Sequence, residues 1–167
     1  MSKLHILDSN VFIEAEKRFY ANDFCPGFWQ WLDSAQENGI VTSIDMVLNE
    51  LNKGTDVLSN WATERKGTNW FITVADIPTQ RMYSEIINYV ENEYENQGKK
   101  AKFFSGADPW IIAKAVTTNS VVVTQEVLVD INSSSIKIPN ICNHFNVSYI
   151  NIFELIRKSK IRFMLEQ

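Results

Sequence analysis

Four acidic residues occupy positions from which a carboxylate could take part in a reaction. Asp8 directly follows a short apolar run at the start of the chain, and Glu126 follows a second such run after Thr124. Asp108 stands at the start of a predicted helix, and Glu50 interrupts the apolar stripe of another. If these carboxylates share one cleft, they repel each other and have raised pKa values unless divalent cations lie between them. Their hard oxygen atoms would suit Mg²⁺ or Mn²⁺.

Such a site predicts hydrolytic chemistry on a phosphate ester. A bound divalent cation lowers the pKa of a water ligand and neutralises charge on a phosphodiester during the reaction. Asn10 and Thr124 lie close in sequence to two of the acids and are predicted to orient a water molecule or a carboxylate. We therefore predict four catalytic, metal-binding residues: Asp8, Glu50, Asp108 and Glu126.

Three of the acids also have an ordinary structural explanation. Asp8 could cap the helix that follows it, because short polar side chains accept hydrogen bonds from the first amides of a helix. Ser105 and Asp108 are spaced as a capping box, or Asp108 could itself be the cap with Pro109 in the first helical position. Glu50 could be a boundary residue that reaches water. The residue types alone leave these alternatives open.

The elements that must position the acids alternate between strand and helix. Two apolar runs, at residues 4–7 and 120–123, are typical of parallel strands that are covered on both faces. The alternation predicts a parallel sheet, and right-handed crossovers would place the first and fourth strands near its centre. Ligands bind beyond the carboxyl ends of such strands, where Asp8 and Glu126 would lie. The predicted fold class is α/β, a three-layer α/β/α arrangement with a central parallel sheet, in one domain over residues 1–167.

The composition limits the partners and the location of the protein. A net charge of -4 and a pI near 5.2 argue against binding of nucleic acid or membrane by overall charge. One local basic cluster, Gln97–Lys102, is predicted to lie on a loop and could contact phosphates. No apolar run approaches the roughly 20 residues that a membrane helix needs. Two cysteines without a metal-ligand pattern favour a reducing, cytoplasmic setting.

Four short segments resemble the motifs of the PIN-domain nucleases, a family that includes the VapC-type ribonuclease toxins of bacterial toxin–antitoxin pairs. Leu7–Phe12 is similar to the opening Asp-x-Asn motif of the family, and Val47–Leu51 to the helix that carries its second acid. Gly106–Ala113 resembles the motif of the third acid. Val123–Glu126 resembles the fourth motif, Thr-x-Asp, with Glu126 where Asp is commoner. The resemblance covers most of the chain.

This resemblance implies a PIN-like fold and a divalent-metal-dependent endoribonuclease with Asp8, Glu50 and Asp108 as its core acids. It also implies RNA as the substrate, and an antitoxin protein as a partner if the chain is such a toxin. Phe24–Trp29 and Lys137–Pro139 indicate a little-characterised PIN-like branch of the family.

Two other functions stay open on the sequence. A PIN-like module without turnover could bind RNA or a protein through the aromatic segment Phe24–Trp31, although core packing is the commoner use of such residues. A phosphoryl-transfer enzyme could use Asp8 as its nucleophile, but such enzymes usually carry a second Asp two residues later, where this chain has Asn10. The aromatic residues also suggest an inhibitory partner or a homodimer.

Overall fold

The computed structural model describes residues 3–165 of the chain. Within this range it contains five short strands and nine α-helices, with a π-helical turn directly after the first helix. The strands are β1 (His5–Leu7), β2 (Val41–Ile44), β3 (Phe71–Ile72), β4 (Val121–Val123) and β5 (Tyr149–Ile150). The helices are α1 (Ser9–Glu14), α2 (Pro26–Glu37), α3 (Asp45–Leu51), α4 (Val57–Glu64), α5 (Ile77–Glu93), α6 (Gln97–Ser105), α7 (Asp108–Thr118), α8 (Ile138–His144) and α9 (Ile152–Ser159), and the π-helical turn covers Ala15–Phe19. No helix in this part of the chain is long and apolar enough to cross a membrane.

All five strands pair in parallel, in the order β3-β2-β1-β4-β5. The central strand β1 places Ile6 opposite Thr42 of β2 on one side and Val122 of β4 on the other. From β1 the chain moves outwards to β2 and β3, and then continues on the other side of β1 through β4 and β5. The predicted α/β class and the central position of the first and fourth strands are confirmed.

The strands lie between two layers of helices. Ile6, Leu7, Val122 and Val123 are fully buried, as expected for parallel strands covered on both faces. Right-handed crossovers put α1–α4 on one face of the sheet and α5–α8 on the other. The packing of α3 on α1 and α4, and of α7 on α5, α6 and α8, agrees with this assignment. The predicted three-layer α/β/α arrangement is therefore confirmed, while the domain boundary at residues 1–167 stays a prediction.

The aromatic segment Phe24–Trp31 belongs mainly to the hydrophobic core. Phe28 and Trp29 are buried in α2, and Trp31 is half-buried. The ring of Trp29 packs edge-on against that of Trp61, with 5.1 Å between their centroids. Phe24 is the largely exposed aromatic residue of the segment, with 66% of its surface accessible. Core packing therefore accounts for most of this segment, which leaves little of it for base stacking.

The basic cluster Gln97–Lys102 is helical, so its prediction as a loop was wrong. The side chain of Asn96 caps α6 by accepting a hydrogen bond from Lys99 N at 3.0 Å. The side chain of Lys100 is buried and pairs with Glu91 of α5 at 2.6 Å. A capping residue between two closely spaced helices resembles a turn in the sequence, which explains the error. The ion pair fixes the rotation of α6 against α5.

Candidate functional site

The candidate site lies at the carboxyl ends of β1 and β4, where the path of the chain through the sheet changes direction. In open parallel sheets this switch point forms a crevice in which ligands bind. Asp8 follows β1 immediately, and its backbone N–H donates to Val123 O at 2.9 Å. Thr124 and Glu126 follow β4. The fold therefore brings two of the predicted segments together at one edge of the sheet.

Asp8 is a buried residue, with only 3% of its surface exposed. Its Oδ1 accepts a hydrogen bond from Ser9 N at 2.7 Å, so Asp8 does cap α1. Its Oδ2 accepts a hydrogen bond from the Thr124 hydroxyl at 3.0 Å. Burial, together with the negative charges of Glu126 and Glu50, raises the pKa of Asp8 to about 7. Asp8 thus caps a helix and also places a carboxyl group with a raised pKa at the switch point of the sheet.

Thr124 and Asn10 fix the position of the Asp8 carboxylate. The Thr124 hydroxyl accepts hydrogen bonds from Asn10 Nδ2 at 3.2 Å and from Glu126 N at 3.1 Å. Because both of its acceptor positions are used, its single proton is directed to Asp8. Asn10 Oδ1 in turn accepts a hydrogen bond from Gln125 N at 3.0 Å. Both residues therefore lie behind Asp8 and hold it in one orientation.

Glu50 lies on α3 and is held by the start of α7. Its Oε1 accepts a hydrogen bond from Ala107 N at 2.8 Å. Gly106 allows this close approach, since a Cβ at that position would lie 3.2 Å from the same oxygen. The partner that Glu50 needs in its half-buried position is thus a backbone amide at a helix N-terminus, where negative charge is favoured.

Asp108 is the first residue of α7, and it has no capping role. Ala107 occupies the N-cap position and Pro109 the second helical position, so both capping explanations for Asp108 were wrong. The Ser105 hydroxyl donates instead to Lys102 O at 2.9 Å. Among residues 3–165, none donates a hydrogen bond to the Asp108 carboxylate. Burial raises the pKa of Asp108 to about 8, with further contributions from the charges of Asp8, Glu126 and Glu50.

Glu126 is fully engaged in structural contacts. Its Oε1 accepts a hydrogen bond from Lys137 Nζ at 2.8 Å, and its Oε2 accepts one from Ile138 N at 2.8 Å, at the start of α8. The side chain of Glu126 is 17% exposed and that of Lys137 is 31% exposed. An ion pair that also satisfies a helix N-terminus explains the position of Glu126 without a metal.

Three of the acids line one cavity, which we call the acid cleft. The cavity has a volume of about 290 Å³, and its wall includes Glu50, Asp108 and Glu126. Asp8 is not part of this wall, but its charge contributes to the raised pKa of Asp108. Within the described range, no three acidic, histidine or cysteine side chains lie close enough together to hold one metal ion. The fold thus gathers the four predicted acids around one cleft without closing them into a coordination shell.

Lysine side chains line the acid cleft as well, and Lys53 and Lys137 were not predicted to lie there. Lys53 follows Glu50 by three residues, a spacing that could have indicated a shared face. The contact of Lys137 with Glu126 spans eleven positions of an irregular segment, and no sequence pattern displays it. The complete set of lysines in the cleft wall is Lys53, Lys99, Lys102 and Lys137.

Cys142 is a further residue near the site that the sequence did not indicate. It is fully buried, and burial raises the pKa of its thiol to about 12, with contributions from the charges of Asp8 and Glu126. A thiol that stays protonated is a poor metal ligand. The available donors are therefore carboxylate oxygens. Cys25 and Cys142 are both free thiols, and the cytoplasmic setting stays a prediction.

Solved structures that are similar to this chain over most of its length include the following three. VapBC2 from Rickettsia felis, solved with a DNA fragment from its promoter, shares 16% identity over 89% of this chain and 98% of that chain, with a TM-score of 0.52. FitAcB from Neisseria gonorrhoeae shares 20% identity over 88% and 96%, with a TM-score of 0.51. FitAB bound to the IR36 DNA fragment shares 19% identity over 88% and 94%, with a TM-score of 0.51. At these identities the likeness concerns the fold, and the predicted PIN-like fold is confirmed.

Comparison by sequence assigns the chain to a family. No curated protein matches the chain. A family model described as "Domain of unknown function (DUF4411)" matches residues 5–163, which include all four predicted acids and both orienting residues. The chain therefore belongs to the DUF4411 family, with a PIN-like fold.

Proposed function

We propose that this protein is a divalent-metal-dependent endoribonuclease that hydrolyses RNA phosphodiester bonds. The observation that carries the proposal is the pair Asp8 and Asp108, whose pKa values are raised to about 7 and about 8 at the switch point of the sheet. Neither residue forms an ion pair within residues 3–165. Carboxyl groups whose pKa values are raised by burial and by neighbouring carboxylates, at a position where ligands bind in this class of sheet, favour a functional role. The motif resemblance and the PIN-like fold support the same activity.

The donor set fits Mg²⁺ or Mn²⁺ in its chemistry, because hard cations bind carboxylate oxygens. A cation among Asp8, Glu50 and Asp108 would offset the charges that raise the two pKa values. When bound, such an ion lowers the pKa of a water ligand and neutralises charge on the phosphodiester. We propose these three residues as the principal ligands. Glu126 is the fourth proposed ligand, and its ion pair with Lys137 must open before its carboxylate can bind a metal.

The other contacts of the site prepare these carboxylates for a ligand. The Thr124 hydroxyl and Ser9 N hold the two oxygens of Asp8, and Ala107 N holds one oxygen of Glu50. Asp108 has no such restraint and can rotate its carboxylate towards a ligand in the cleft. Two fixed acids and one mobile acid could adapt to an incoming ion with little movement of the backbone.

Cleavage of total RNA by the purified protein tests the proposed activity. Wild type should cut RNA with Mg²⁺ or Mn²⁺ and should be inactive with a chelator. Asp108→Asn keeps the size of the side chain and removes its charge, so we expect cleavage to slow by about 100-fold or more. Cleavage in the presence of chelator, or cleavage by Asp108→Asn at the wild-type rate, would overturn the proposal.

We also propose an inhibitory antitoxin protein as a partner. VapBC2 is among the similar structures, and the motifs resemble those of the VapC-type toxins. Val127 and Leu128 follow Glu126 directly and are 68% and 54% exposed, which leaves an apolar surface beside the cleft. A partner captured from the native host should block RNA cleavage. The homodimer stays a separate prediction, and the molar mass of the protein measured by light scattering tests it.

A second candidate function is a PIN-like module that binds RNA or protein without turnover. The observation that favours it is that no three potential ligands in the described part of the chain converge on one metal position. RNA binding without cleavage, together with a thermal stability that Mg²⁺ and Mn²⁺ do not change, would support this function. Metal-dependent cleavage that Asp108→Asn abolishes would exclude it.

A further inference from the structure

The lining of the acid cleft includes three lysines that form no ion pair within residues 3–165. Lys53 lies two residues beyond the end of α3, and Lys99 and Lys102 lie on α6. All three line the cavity that also contains Glu50 and Asp108. We call these three lysines the lysine rim. The chain as a whole has a net charge of -4, so this local excess is not a consequence of its overall composition.

The rim lysines form no ion pair with a carboxylate in the described part of the chain. The ion pairs of other lysines in the described range are Lys100 with Glu91, Lys114 with Asp76, and Lys137 with Glu126. No such pair within residues 3–165 involves a rim lysine. Lys99 Nζ donates only a long hydrogen bond, 3.5 Å, to the backbone oxygen of Asn132.

The rotation of α6 directs two rim lysines towards the cleft. Lys100 is 4% exposed and its ion pair with Glu91 fixes that side of α6 against α5. Residues three apart in a helix lie on one face, so Lys99 and Lys102 share a face that Lys100 does not. Lys102 is exposed and Lys99 is half-buried. The buried pair thus determines where the two positive charges point.

The other side of Glu126 has a different character. A neighbouring cavity of about 440 Å³ shares Glu126 with the acid cleft and contains Val127, Leu128 and Phe153. No lysine or arginine lines it. Positive charge therefore flanks the acids on the α6 side, and apolar surface flanks them on the other.

We propose that the lysine rim is a binding track for the backbone phosphates of single-stranded RNA, on the α6 side of the acid cleft. The inference rests on the proposed function, because it places the cut phosphodiester at the acids and the adjoining phosphates at the rim. Lysine binds phosphate as a point charge and does not read bases, so the track adds affinity without sequence preference. An acidic protein segment would also be attracted to lysines, but hydrolytic acids at the end of the track favour a phosphodiester chain.

The salt dependence of binding tests the track. Labelled single-stranded RNA and DNA of one sequence are titrated with protein in chelator, so that no turnover is needed. The variant Lys53→Ala/Lys99→Ala/Lys102→Ala is compared with Lys17→Ala/Lys66→Ala/Lys158→Ala, which removes the same number of positive charges at exposed positions outside the cleft wall. Each lost phosphate contact lowers the slope of log K against log salt by about 0.7. For both nucleic acids, the slope of the rim variant should be less steep than that of wild type by about 2, and the slope of the control variant should equal that of wild type.

Several results would overturn the track. The first two are a rim variant whose salt slope equals that of wild type, and a control variant whose salt slope falls as much as that of the rim variant. The other two are a fall in slope that is seen with RNA but not with DNA, and a wild-type protein that binds neither nucleic acid at low salt. Equally tight binding of a poly-glutamate peptide would assign the rim to an acidic protein. Single Lys102→Ala, at an exposed position, gives a slope loss of about 0.7 even if the triple variant folds poorly. Because chelator prevents metal-dependent cleavage, failure of the track and failure of the nuclease activity are separate outcomes.

Discussion

Asp108 and Glu126 line the same cleft, yet they differ in almost every contact. Glu126 has a lysine on one oxygen and a helix amide on the other, both at 2.8 Å. Asp108 starts a helix without capping it and accepts no hydrogen bond from the described residues, and its pKa is raised to about 8 by burial and by the neighbouring carboxylates. Breaking the ion pair of Glu126 would leave Lys137 without its partner, whereas the Asp108 carboxylate has no partner to lose and is free to bind a ligand. The wall around Asp108 should therefore govern activity, and the wall around Glu126 should govern folding.

The largest effect should come from removing the charge of Asp108 or Asp8. Both Asp108→Asn and Asp8→Asn should lower the rate of RNA cleavage by about 100-fold or more, because each removes a proposed metal ligand. Only Asp8→Asn should also lower the melting temperature, since both oxygens of Asp8 accept hydrogen bonds, from Ser9 N and from the Thr124 hydroxyl, and the new NH2 group would face one of these two donors. Cleavage rates and melting temperatures of both variants check this. If both variants lowered the melting temperature equally, the predicted difference between Asp8 and Asp108 would be wrong.

A smaller effect, on stability, should follow from Glu126→Gln. The amide oxygen can still accept from Ile138 N, but the charge that pairs with Lys137 is lost, so we expect the free energy of unfolding to fall by about 1 to 2 kcal/mol. Chemical denaturation in chelator measures the loss. Glu93→Gln, at an exposed residue outside any ion pair of the described chain, is the matched control and should change stability little. If Glu126→Gln left stability unchanged, its structural role would be excluded.

The pH dependence of stability should show the unfavourable ionisation of Asp8 and Asp108 in the folded protein. Their pKa values are about 7 and about 8 in the folded protein against 3.8 for an unperturbed Asp, so between these values the folded state binds more protons than the unfolded state. Stability is therefore lost as pH rises through this range, by on the order of 1 kcal/mol per pH unit. Denaturation in chelator from pH 5 to pH 8 should show this fall, and Asp108→Asn should flatten it. If stability rose with pH over this range, the raised pKa values of Asp8 and Asp108 would be contradicted.

The smallest effect should come from Gly106→Ala. The new Cβ would lie 3.2 Å from Glu50 Oε1, and Gly106 has a φ of -100°, which alanine adopts without strain. The flexible carboxylate can move by a few tenths of an ångström, so stability should change by less than about 1 kcal/mol. The displaced Glu50 should weaken metal affinity severalfold, as measured by Mn²⁺ titration. Unchanged affinity would show that the position of Glu50 is not critical.

The sequence predicted the parts of this molecule that depend on local pattern. The apolar runs before Asp8 and Glu126 predicted buried parallel strands, and the rules of chain crossover predicted that the first and fourth strands lie near the centre of the sheet. The contacts that distinguish the two walls join residues far apart in sequence. Ala107 N reaches Glu50 across 57 positions, and Lys137 reaches Glu126 through an irregular segment. No local periodicity encodes such contacts, so the sequence indicated which acids could act but not which of them already have partners.

A metal titration followed by thermal unfolding tests the central claim most directly. Saturating Mg²⁺ or Mn²⁺, at about 100 times its dissociation constant, adds roughly 2.7 kcal/mol to the stability of a protein that binds it only when folded. Wild type should gain this stabilisation, Glu126→Gln should keep most of it, and Asp108→Asn should lose it. The same metal-induced shift in wild type and Asp108→Asn would contradict the assignment of Asp108 to a metal site.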